Sequence, residues 1–485
     1  MKIHKNKNMI PDEISPETQE ILDTLIAEEM TVERVPGLSM AIVSKGKIIY
    51  TQNYGSKNLE ERIPSDSDTL YRIASVTKSF ICVGILQLHD LKKINIHDPI
   101  SKYLPIKLGF EENPITIHHL MNHTSGIPDI VGGVSYHQFY HLIDDSQIPP
   151  FIPFTSWNDL YRHLNGAQEY ITDIPGKRLY YFNIGYTLLG RIIELVSGMS
   201  LNEYLQQNIF SPLGMENSSF IVEDAEKTGN LSTPYKLGKN NIVEKTSYYA
   251  VNNTFGYAPG GLFSSINELS NYMIMILNNG EFNGKRILSE HSIKLMQEFH
   301  FSETKNSQLF GNTIGNFGKA GYGYGFGVHD DFYGHKLVHH SGSHIASSAW
   351  FAMIPDLNLG VIFLANKHPS PRMFALATLG LLLKKDIHYQ FPILKNRTLF
   401  KQLTGVYHTY KSISKIKIVA KGGSLFFCSL DDKHQVPIHR QDDLLYYFAT
   451  ASGEKDPVEF EIDQQGQVWL HHERRKFKKI RNLDQ

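Results

Sequence analysis

The stretch Ser75-Val76-Thr77-Lys78, followed by the apolar residues 79–88, decides both the fold and the chemistry of this chain. Residues 79–88 are apolar almost all round, which predicts a buried central helix. A serine and a lysine three residues apart share one face of a first helical turn, so the amine can reach the hydroxyl. A lysine that loses its charge in a dry pocket can act as a base, and the helix dipole favours a nucleophile at that end. The stretch therefore indicates a serine nucleophile, although S-x-x-K alone also occurs in many unrelated chains.

A second motif is Tyr181-Phe182-Asn183, between the turn signal Pro175-Gly176 and the apolar residues 184–194, which predict a helix. A phenol and a carboxamide two residues apart on an extended loop point to the same side. This spacing suits one proton-transfer group and one hydrogen-bonding group that face a shared substrate. The alternative is an ordinary loop tyrosine followed by an asparagine that caps the helix.

A third motif is His340-Ser341-Gly342-Ser343, at the end of an alternating stretch that predicts a strand. A glycine in a strand allows a ligand or another backbone to approach closely. The backbone N–H groups of Ser343 and Ser75 would together form an oxyanion hole for a substrate carbonyl. The alternative is a plain edge strand that ends in a turn of small residues.

With S-x-x-K, Y-x-N and H-x-G in this order, the chain resembles the serine β-lactamase and penicillin-binding-protein superfamily, specifically its class C-like branch of peptidases and esterases. Other matching segments lie at residues 35–43, 116–129, 212–215, 258–265 and 322–326, so the resemblance covers most of residues 18–366. It implies that Ser75 is the nucleophile, that Lys78 and Tyr181 move protons, and that Asn183 and the His340 position bind substrate. Tyr180 adjoins Tyr181, but only Tyr181 has the spacing to Asn183.

The chain departs from the family pattern at two positions. His340 stands where typical β-lactamases carry a lysine, and a histidine is mostly neutral at pH 7. This change favours esterase, amidase or peptidase activity over antibiotic hydrolysis; if His340 must be protonated to bind an anion, kcat/KM for carboxylate substrates should rise towards pH 6. Ala346 replaces a glycine and is expected to narrow the pocket. No glutamate of the class A type is apparent, so deacylation would depend on Tyr181 and Lys78.

The expected function is that of a serine hydrolase that forms an acyl-enzyme on Ser75 and cleaves an ester or amide in a small molecule or peptide. The alternatives are an acyltransferase of the same fold and a non-catalytic protein that binds penicillin or peptidoglycan. Segments near residues 130–170, 220–255 and 300–320 are expected to shape the substrate pocket.

Composition is consistent with a globular enzyme. The chain has 485 residues with 41% hydrophobic content, enough for a large core and more than one domain. A net charge of −1 gives no electrostatic case for nucleic acid. Only Cys82 and Cys428 occur, so no disulfide framework is implied. We find no signal-peptide pattern and no apolar run of membrane-spanning length, which favours a cytoplasmic protein.

Histidine is abundant, with 23 residues, and clusters at 118, 119 and 123 and at 335, 339, 340 and 344. There is no H-E-x-x-H pattern and no cysteine partner, so we expect neither a metal nor another cofactor. His123 is expected to anchor its loop by hydrogen bonds. The sequence leaves the oligomeric state open.

The predicted fold class is α/β (α+β), with an antiparallel sheet flanked by helices, an all-helical region and a small all-β C-terminal domain. A catalytic domain over 1–384, a linker over 385–397 and the C-terminal domain over 398–485 are expected. Ser15-Pro16 predicts a helix start, Lys45-Gly46-Lys47 a turn between two strands, and residues 373–383 a closing helix. Further strands are predicted over 322–329, 336–343 and 347–366. The C-terminal residues alternate with period two and resemble a small lipocalin-like barrel, with a β-meander as the alternative.

Overall fold

The structure is a computed structural model that describes residues 13–128, 156–238, 242–248, 254–302, 317–344, 346–368, 372–387, 392–421, 424–449 and 453–482. The chain forms two compact units, residues 1–385 and 386–485. Large parts of the segments 130–170 and 300–320, which are expected to shape the pocket, lie outside the described residues. In the third such segment, 220–255, residues 239–241 and 249–253 lie outside them.

The first unit begins with a helix whose start agrees with the sequence. The Thr18 N–H donates to the Ser15 side chain, and Pro16 occupies the first helical position. The helices of this unit are α1 (Pro16–Glu33), α2 (Thr77–Asp90), α3 (Ile117–Met121), α4 (Trp157–Asn165), α5 (Asn183–Ser197), α6 (Leu201–Leu205), α7 (Val222–Lys227), α8 (Thr254–Gly260), α9 (Ile266–Leu277), α10 (Glu290–Met296) and α11 (Arg372–Leu382).

The strands of the first unit are β1 (Gly37–Ser44), β2 (Lys47–Asn58), β3 (Ile63–Pro64), β4 (Tyr71–Arg72), β5 (Gly109–Phe110), β6 (Asn113–Pro114), β7 (Tyr235–Leu237), β8 (Val243–Lys245), β9 (Phe263–Ser264), β10 (Glu281–Phe282), β11 (Lys285–Arg286), β12 (Phe301–Ser302), β13 (Ala320–Tyr322), β14 (Gly327–Phe332), β15 (His335–His344), β16 (Ser347–Ile354) and β17 (Leu359–Ala365). Nine of these described strands form one antiparallel sheet in the order β12-β13-β14-β15-β16-β17-β1-β2-β3.

Two of the predicted strands are interrupted. The stretch 347–366 is a hairpin of β16 and β17, because Pro355–Leu357 forms a 3-10 turn and Asn358 adopts a left-handed φ of 47° that reverses the chain. The stretch 322–329 is divided between β13 and β14, with a turn over 323–326 in which Gly325 has a φ of 72°. The hydrophobic pattern of a sequence indicates which strand residues are buried, but it does not show where the chain turns back between two strands.

The main sheet is packed on both faces. Ile362 and Leu364 of β17 belong to the large core that contains α2 and α9, whereas Phe363 points the other way and stacks on Phe374 of α11 at 5.9 Å. Helix α2 is buried on every side, and its Phe80 stacks on Tyr272 of α9 at 3.8 Å. This arrangement confirms the predicted fold class and the buried helix after Ser75.

The second unit consists of α12 (Pro392–Leu403) and a barrel. Over residues 405–481, eight described strands join neighbour to neighbour and close on themselves: β18 (Gly405–His408), β19 (Lys415–Lys421), β20 (Ser424–Cys428), β21 (Gln435–Arg440), β22 (Leu445–Ala449), β23 (Lys455–Ile462), β24 (Val468–His472) and β25 (Arg475–Arg481). Alternate residues such as Ile418, Leu425 and Leu470 form its apolar core. The predicted all-β domain is thus a closed barrel with the connectivity of a meander. Helix α12 includes residues 392–397 of the predicted linker 385–397 and packs against this core through Leu399, Phe400 and Leu403.

Cys82 and Cys428 are buried free thiols. Among the described residues, no single helix is long and apolar enough to cross a membrane. The segments Asn183–Ser197 and Leu201–Leu213 reach that length and composition only together, across a bend of 77°. The cytoplasmic location stays a prediction.

Candidate active site

Ser75 lies in a short 3-10 turn, Ala74–Val76, immediately before α2. The turn is held between two glycines. A Cβ on Gly342 of β15 would lie 2.0 Å from the Ile73 carbonyl oxygen, and a Cβ on Gly260 would lie 3.3 Å from the carbonyl carbon of Ala74. Ala74 itself has a left-handed φ of 48°, which is unfavourable for a residue with a side chain. Surrounding packing therefore imposes the backbone conformation that presents Ser75.

Lys78 is fully buried and points back to Ser75. Its Nζ donates to Ser75 Oγ at 2.9 Å and to the Pro259 carbonyl at 2.6 Å. Pro259 lies at the C-terminal end of α8, where backbone carbonyls have no partner within the helix. The rings of Tyr181 and Tyr186 face the same nitrogen, with centroids at 4.9 and 5.4 Å. The serine and lysine predicted to act together are thus in direct contact.

Tyr181 faces the same group, and the interaction of its phenol with the Ser75 side chain lowers the pKa of Tyr181 against a larger effect of burial. Burial raises the pKa of Tyr181 well above its ordinary value, so the phenol keeps its proton at neutral pH. The neighbouring Tyr180 points elsewhere and donates to Asp173 Oδ2 at 2.7 Å. The structure therefore brings Ser75, Lys78 and Tyr181 together and leaves Tyr180 outside the group, while their catalytic roles remain predictions.

His123 holds the loop that carries Tyr181. The N–H of Phe182 donates to His123 Nδ1 at 3.1 Å, and the N–H of Tyr180 donates to the His123 carbonyl at 2.8 Å. The imidazole also packs on the Tyr181 ring, with centroids 4.2 Å apart. Burial and the nearby Lys78 charge keep the pKa of His123 well below its usual range. The sequence-based expectation that His123 anchors its loop through hydrogen bonds is confirmed.

Asn183 is the first residue of α5 and is half-buried. The N-cap position belongs to Phe182, and no side chain of the described residues caps this helix. The alternative interpretation of Asn183 as a helix cap is therefore wrong. Within the described part of the chain its carboxamide makes no hydrogen bond, and its predicted contact with substrate is untested.

The third motif lies on β15, with His340 buried beside Lys78 and Tyr181. The His340 Nδ1 lies 2.6 Å from the Ser341 carbonyl, and Nε2 lies 2.8 Å from the Tyr322 hydroxyl. Burial, assisted by the Lys78 charge, lowers the pKa of His340 to about 3. This shift favours the neutral imidazole at pH 6. The conditional expectation that kcat/KM for carboxylate substrates rises towards pH 6 stays a prediction.

Among the described residues, the strand edge beside the nucleophile is unpaired beyond His339. Strand β14 begins at Gly327, which is paired with His339, so no strand of the described residues pairs with 340–344 on that side. Gly342 closely approaches the backbone of the Ser75 turn, so this strand glycine makes room for another backbone segment. Ser343 is exposed, and its Oγ lies 2.7 Å from His368 Nδ1. This edge can accept an extended substrate next to the two predicted oxyanion donors.

Three contributors to this site were not identified from the sequence. They are the Pro259 carbonyl, the Tyr322 hydroxyl and Arg72, whose Nε donates to the Gly260 carbonyl at 3.1 Å and holds Gly260 beside the Ser75 turn. Arg72 is buried, which lowers its pKa to about 10. Pro259 and Tyr322 fall in segments that match the family pattern, but no local feature marked them as partners of Lys78 and His340.

Two histidines of the first cluster are engaged in hydrogen bonds within the protein. His118 contacts the Tyr324 hydroxyl through Nδ1 at 2.5 Å and the Asn122 side chain through Nε2 at 3.1 Å. His119 Nδ1 accepts from the Thr116 N–H at 3.1 Å as part of the cap of α3. Among the described residues, no group of three or more His, Cys, Asp or Glu is arranged to hold a metal ion.

Comparison with known proteins agrees with this geometry. The model of the Beta-lactamase family matches residues 22–384, and the chain belongs to this family. The resemblance to the β-lactamase and penicillin-binding-protein superfamily is thereby confirmed, and with it membership of a superfamily of serine hydrolases and acyl-transfer proteins. Residues 387–478 match the model of the Pab87 octamerisation domain.

Individual relatives are distant. The chain is 27% identical to "Protein flp" of Staphylococcus aureus strain MRSA252 over 73% of its own length, and 27% identical to "Penicillin-binding protein 4*" of Bacillus subtilis strain 168 over 66%. These matches span 64% and 66% of the two relatives, less than two thirds of either. The solved structure of the octameric penicillin-binding protein homologue from Pyrococcus abyssi is 31% identical and covers 95% of this chain and 100% of its own, with a TM-score of 0.79.

Proposed function

We propose that the protein is a serine hydrolase that cleaves an ester or amide through an acyl-enzyme on Ser75. The observation that carries the proposal is the double engagement of one hydroxyl. Ser75 Oγ accepts from Lys78 Nζ at 2.9 Å, and the Ser75 side chain also interacts with the phenol of Tyr181, whose ring centroid lies 4.9 Å from the same Nζ. A nucleophile in contact with a candidate base and a candidate acid is the arrangement that covalent acyl transfer requires.

In the proposed reaction, Ser75 Oγ attacks the substrate carbonyl while neutral Lys78 accepts the hydroxyl proton. The oxyanion binds to the N–H groups of Ser75 and Ser343. Tyr181 donates its proton to the leaving amine or alcohol and regains one from Lys78. A water molecule then attacks the ester, the acid is released, and the proton returns to Ser75. General-base assistance of this kind is worth roughly 10²–10⁴-fold in rate.

A fluorophosphonate probe followed by intact-mass measurement tests the proposal. We expect one adduct on the wild-type protein and none on Ser75→Ala. A matched control is Ser341→Ala, which removes a hydroxyl from the third motif and should keep the adduct. An adduct on Ser75→Ala would refute the assignment, and a stable adduct without turnover of any ester or amide would support the non-catalytic alternative.

The substrate class follows from the charge at the third motif. Because neutral His340 replaces a permanent cation, we propose neutral esters, amides or D-amino-acid peptides as better substrates than penicillins. Parallel assays with p-nitrophenyl esters, D-alanyl amides and nitrocefin test this ranking. A kcat/KM for nitrocefin above every ester and amide would contradict it.

We also propose that the barrel joins copies of this chain into an oligomer. The support is the family match of residues 387–478 together with two adjacent apolar side chains on one barrel turn, Tyr410 and Ile413, which are 79% and 84% exposed. Light scattering coupled to size-exclusion chromatography should give a smaller mass for Tyr410→Ser/Ile413→Ser than for the wild type. The control is Leu91→Ser, an apolar residue of the first unit that is 65% exposed. Equal masses for all three proteins would refute this turn as the contact.

A further inference from the structure

We propose that Tyr322 is a positioning residue that holds His340 in a single tautomer and so sets the orientation of β15 beside Ser75. The inference deepens the proposed function and rests on acylation of Ser75. It also assigns His340 to support of the strand rather than to direct contact with the charge of a substrate.

The hydrogen bonds of His340 determine where its proton lies. The Ser341 carbonyl can only accept, so the Nδ1 atom 2.6 Å away carries the proton. In a neutral imidazole Nε2 is then an acceptor, and the Tyr322 hydroxyl donates to it at 2.8 Å. Both ring nitrogens are thereby used within the protein, and neither is left to bind or protonate a substrate.

The route of this contact crosses an entire strand. Tyr322 of β13 is paired with Gly327 of β14, and Gly327 is paired with His339 of β15. The tyrosine hydroxyl nevertheless reaches the ring of His340 on the far strand. Tyr322 also packs on His123 at 4.9 Å, and His123 holds the Tyr181 loop. One side chain thus links the second and third motifs.

The position of β15 matters because this strand packs against the Ser75 turn with little free space. Ser341, whose carbonyl accepts from His340, directly precedes Gly342, and Gly342 leaves no room for a Cβ against Ile73. The next residue, Ser343, supplies a predicted oxyanion N–H. Loss of the Tyr322 hydroxyl would release Nε2, allow the ring to rotate or change tautomer, and shift this peptide. Shifts of about 1 Å in a reacting group can cost roughly 10²-fold in rate.

The titratable groups around His340 come from every element packed on it. They are Lys78 from α2, His123 from the loop after α3, Tyr181 from the loop before α5, and Tyr322 from β13. Burial opposes a positive charge on His340, and Lys78 opposes it further whenever the lysine is protonated. The tautomer is therefore expected to persist across the pH range of an activity assay.

The test compares Tyr322→Phe with Tyr324→Phe in the full-length protein. Tyr324 is equally buried and also contacts a histidine, but that histidine is His118 of α3, which belongs to none of the three motifs. For Tyr322→Phe we expect about a 10- to 100-fold loss in the rate of fluorophosphonate labelling and in kcat for an ester, with KM within a factor of about three. Tyr324→Phe should keep the wild-type rates. Wild-type rates in Tyr322→Phe would refute the inference.

Two further measurements separate positioning from a general loss of structure. In the double variant, Tyr322→Phe should add little to the loss of rate caused by His340→Asn, because both substitutions break the same hydrogen bond between Tyr322 and His340. Rate losses that multiply fully in the double variant would contradict the inference. In the NMR spectrum of protein labelled with ¹⁵N-histidine, the signals of His340 are those that disappear in His340→Asn. These signals should show a proton on Nδ1 only. A proton on Nε2 would overturn the proposal even if Ser75 is labelled normally. Failure of the wild type to label would instead refute the proposed function.

Discussion

Alanine in place of Gly342 should impair acylation far more than folding. A Cβ at this position would lie 2.0 Å from the Ile73 carbonyl oxygen, 3.0 Å from the Ile73 carbonyl carbon and 3.2 Å from the Ala74 side chain. Since Cβ atoms essentially never approach closer than 3.0 Å, β15 and the Ser75 turn must separate by about 1 Å. The nucleophile and the Ser343 N–H would then no longer share one carbonyl.

A displacement of this size is expected to lower the acylation rate about 100-fold. Overpacking at the same point should destabilise the fold by about 1–3 kcal/mol, which a domain of this size can tolerate. The assay is the rate of fluorophosphonate labelling by intact mass, with circular dichroism and urea denaturation to measure the folded fraction. The control is Gly166→Ala at the end of α4, where a Cβ would meet its nearest atom at 3.5 Å. Labelling of folded Gly342→Ala within about twofold of the wild type would refute the close approach as the basis of Ser75 placement.

The other predictions concern the proton-transfer groups and pH. Lys78→Ala and Tyr181→Phe should each lower turnover by about two orders of magnitude, whereas Tyr180→Phe, whose hydroxyl serves Asp173, should stay near the wild type; an unimpaired Tyr181→Phe would remove the phenol from the mechanism. The pKa of His340 is about 3 in the folded protein, below its ordinary value of about 6.5. Between pH 6.5 and pH 3, His340 is therefore protonated in the unfolded chain but not in the folded protein, and the free energy of unfolding falls as pH decreases below about 6.5. Between pH 7 and pH 5 this histidine should cost up to about 2 kcal/mol, so urea denaturation of His340→Asn should show a correspondingly weaker pH dependence than the wild type; an identical dependence would contradict the assigned pKa direction.

Local sequence patterns predicted most of the elements that carry the site. The all-apolar residues 79–88 indicated a buried helix because only a helix packed on every side can hide such a surface. Ser15-Pro16 marked a helix start, and the alternation after residue 399 marked barrel strands. These features depend on neighbours within a few residues, so they can be read without knowledge of the chain path. The spacing of three residues between Ser75 and Lys78 is likewise a local feature, because it places both side chains on one face of the same helical turn.

Only the tertiary structure decided what surrounds that pair. Lys78 meets the carbonyl of Pro259, 181 residues away, and His340 meets Tyr322, 18 residues away across an intervening strand. The neutrality of His340 likewise depends on burial and on Lys78, which no residue beside it in the sequence reveals. The sequence by itself determined the helix after Ser75, the spacing of Ser75 and Lys78 and the order of the three motifs, because these are properties of spacing and apolar periodicity. Ser75 as the nucleophile is a prediction that rests on them and on the family resemblance. The tautomer of His340 and the clamp on the Ser75 turn required the fold, because hydrogen bonds and close backbone approach exist only where distant segments meet.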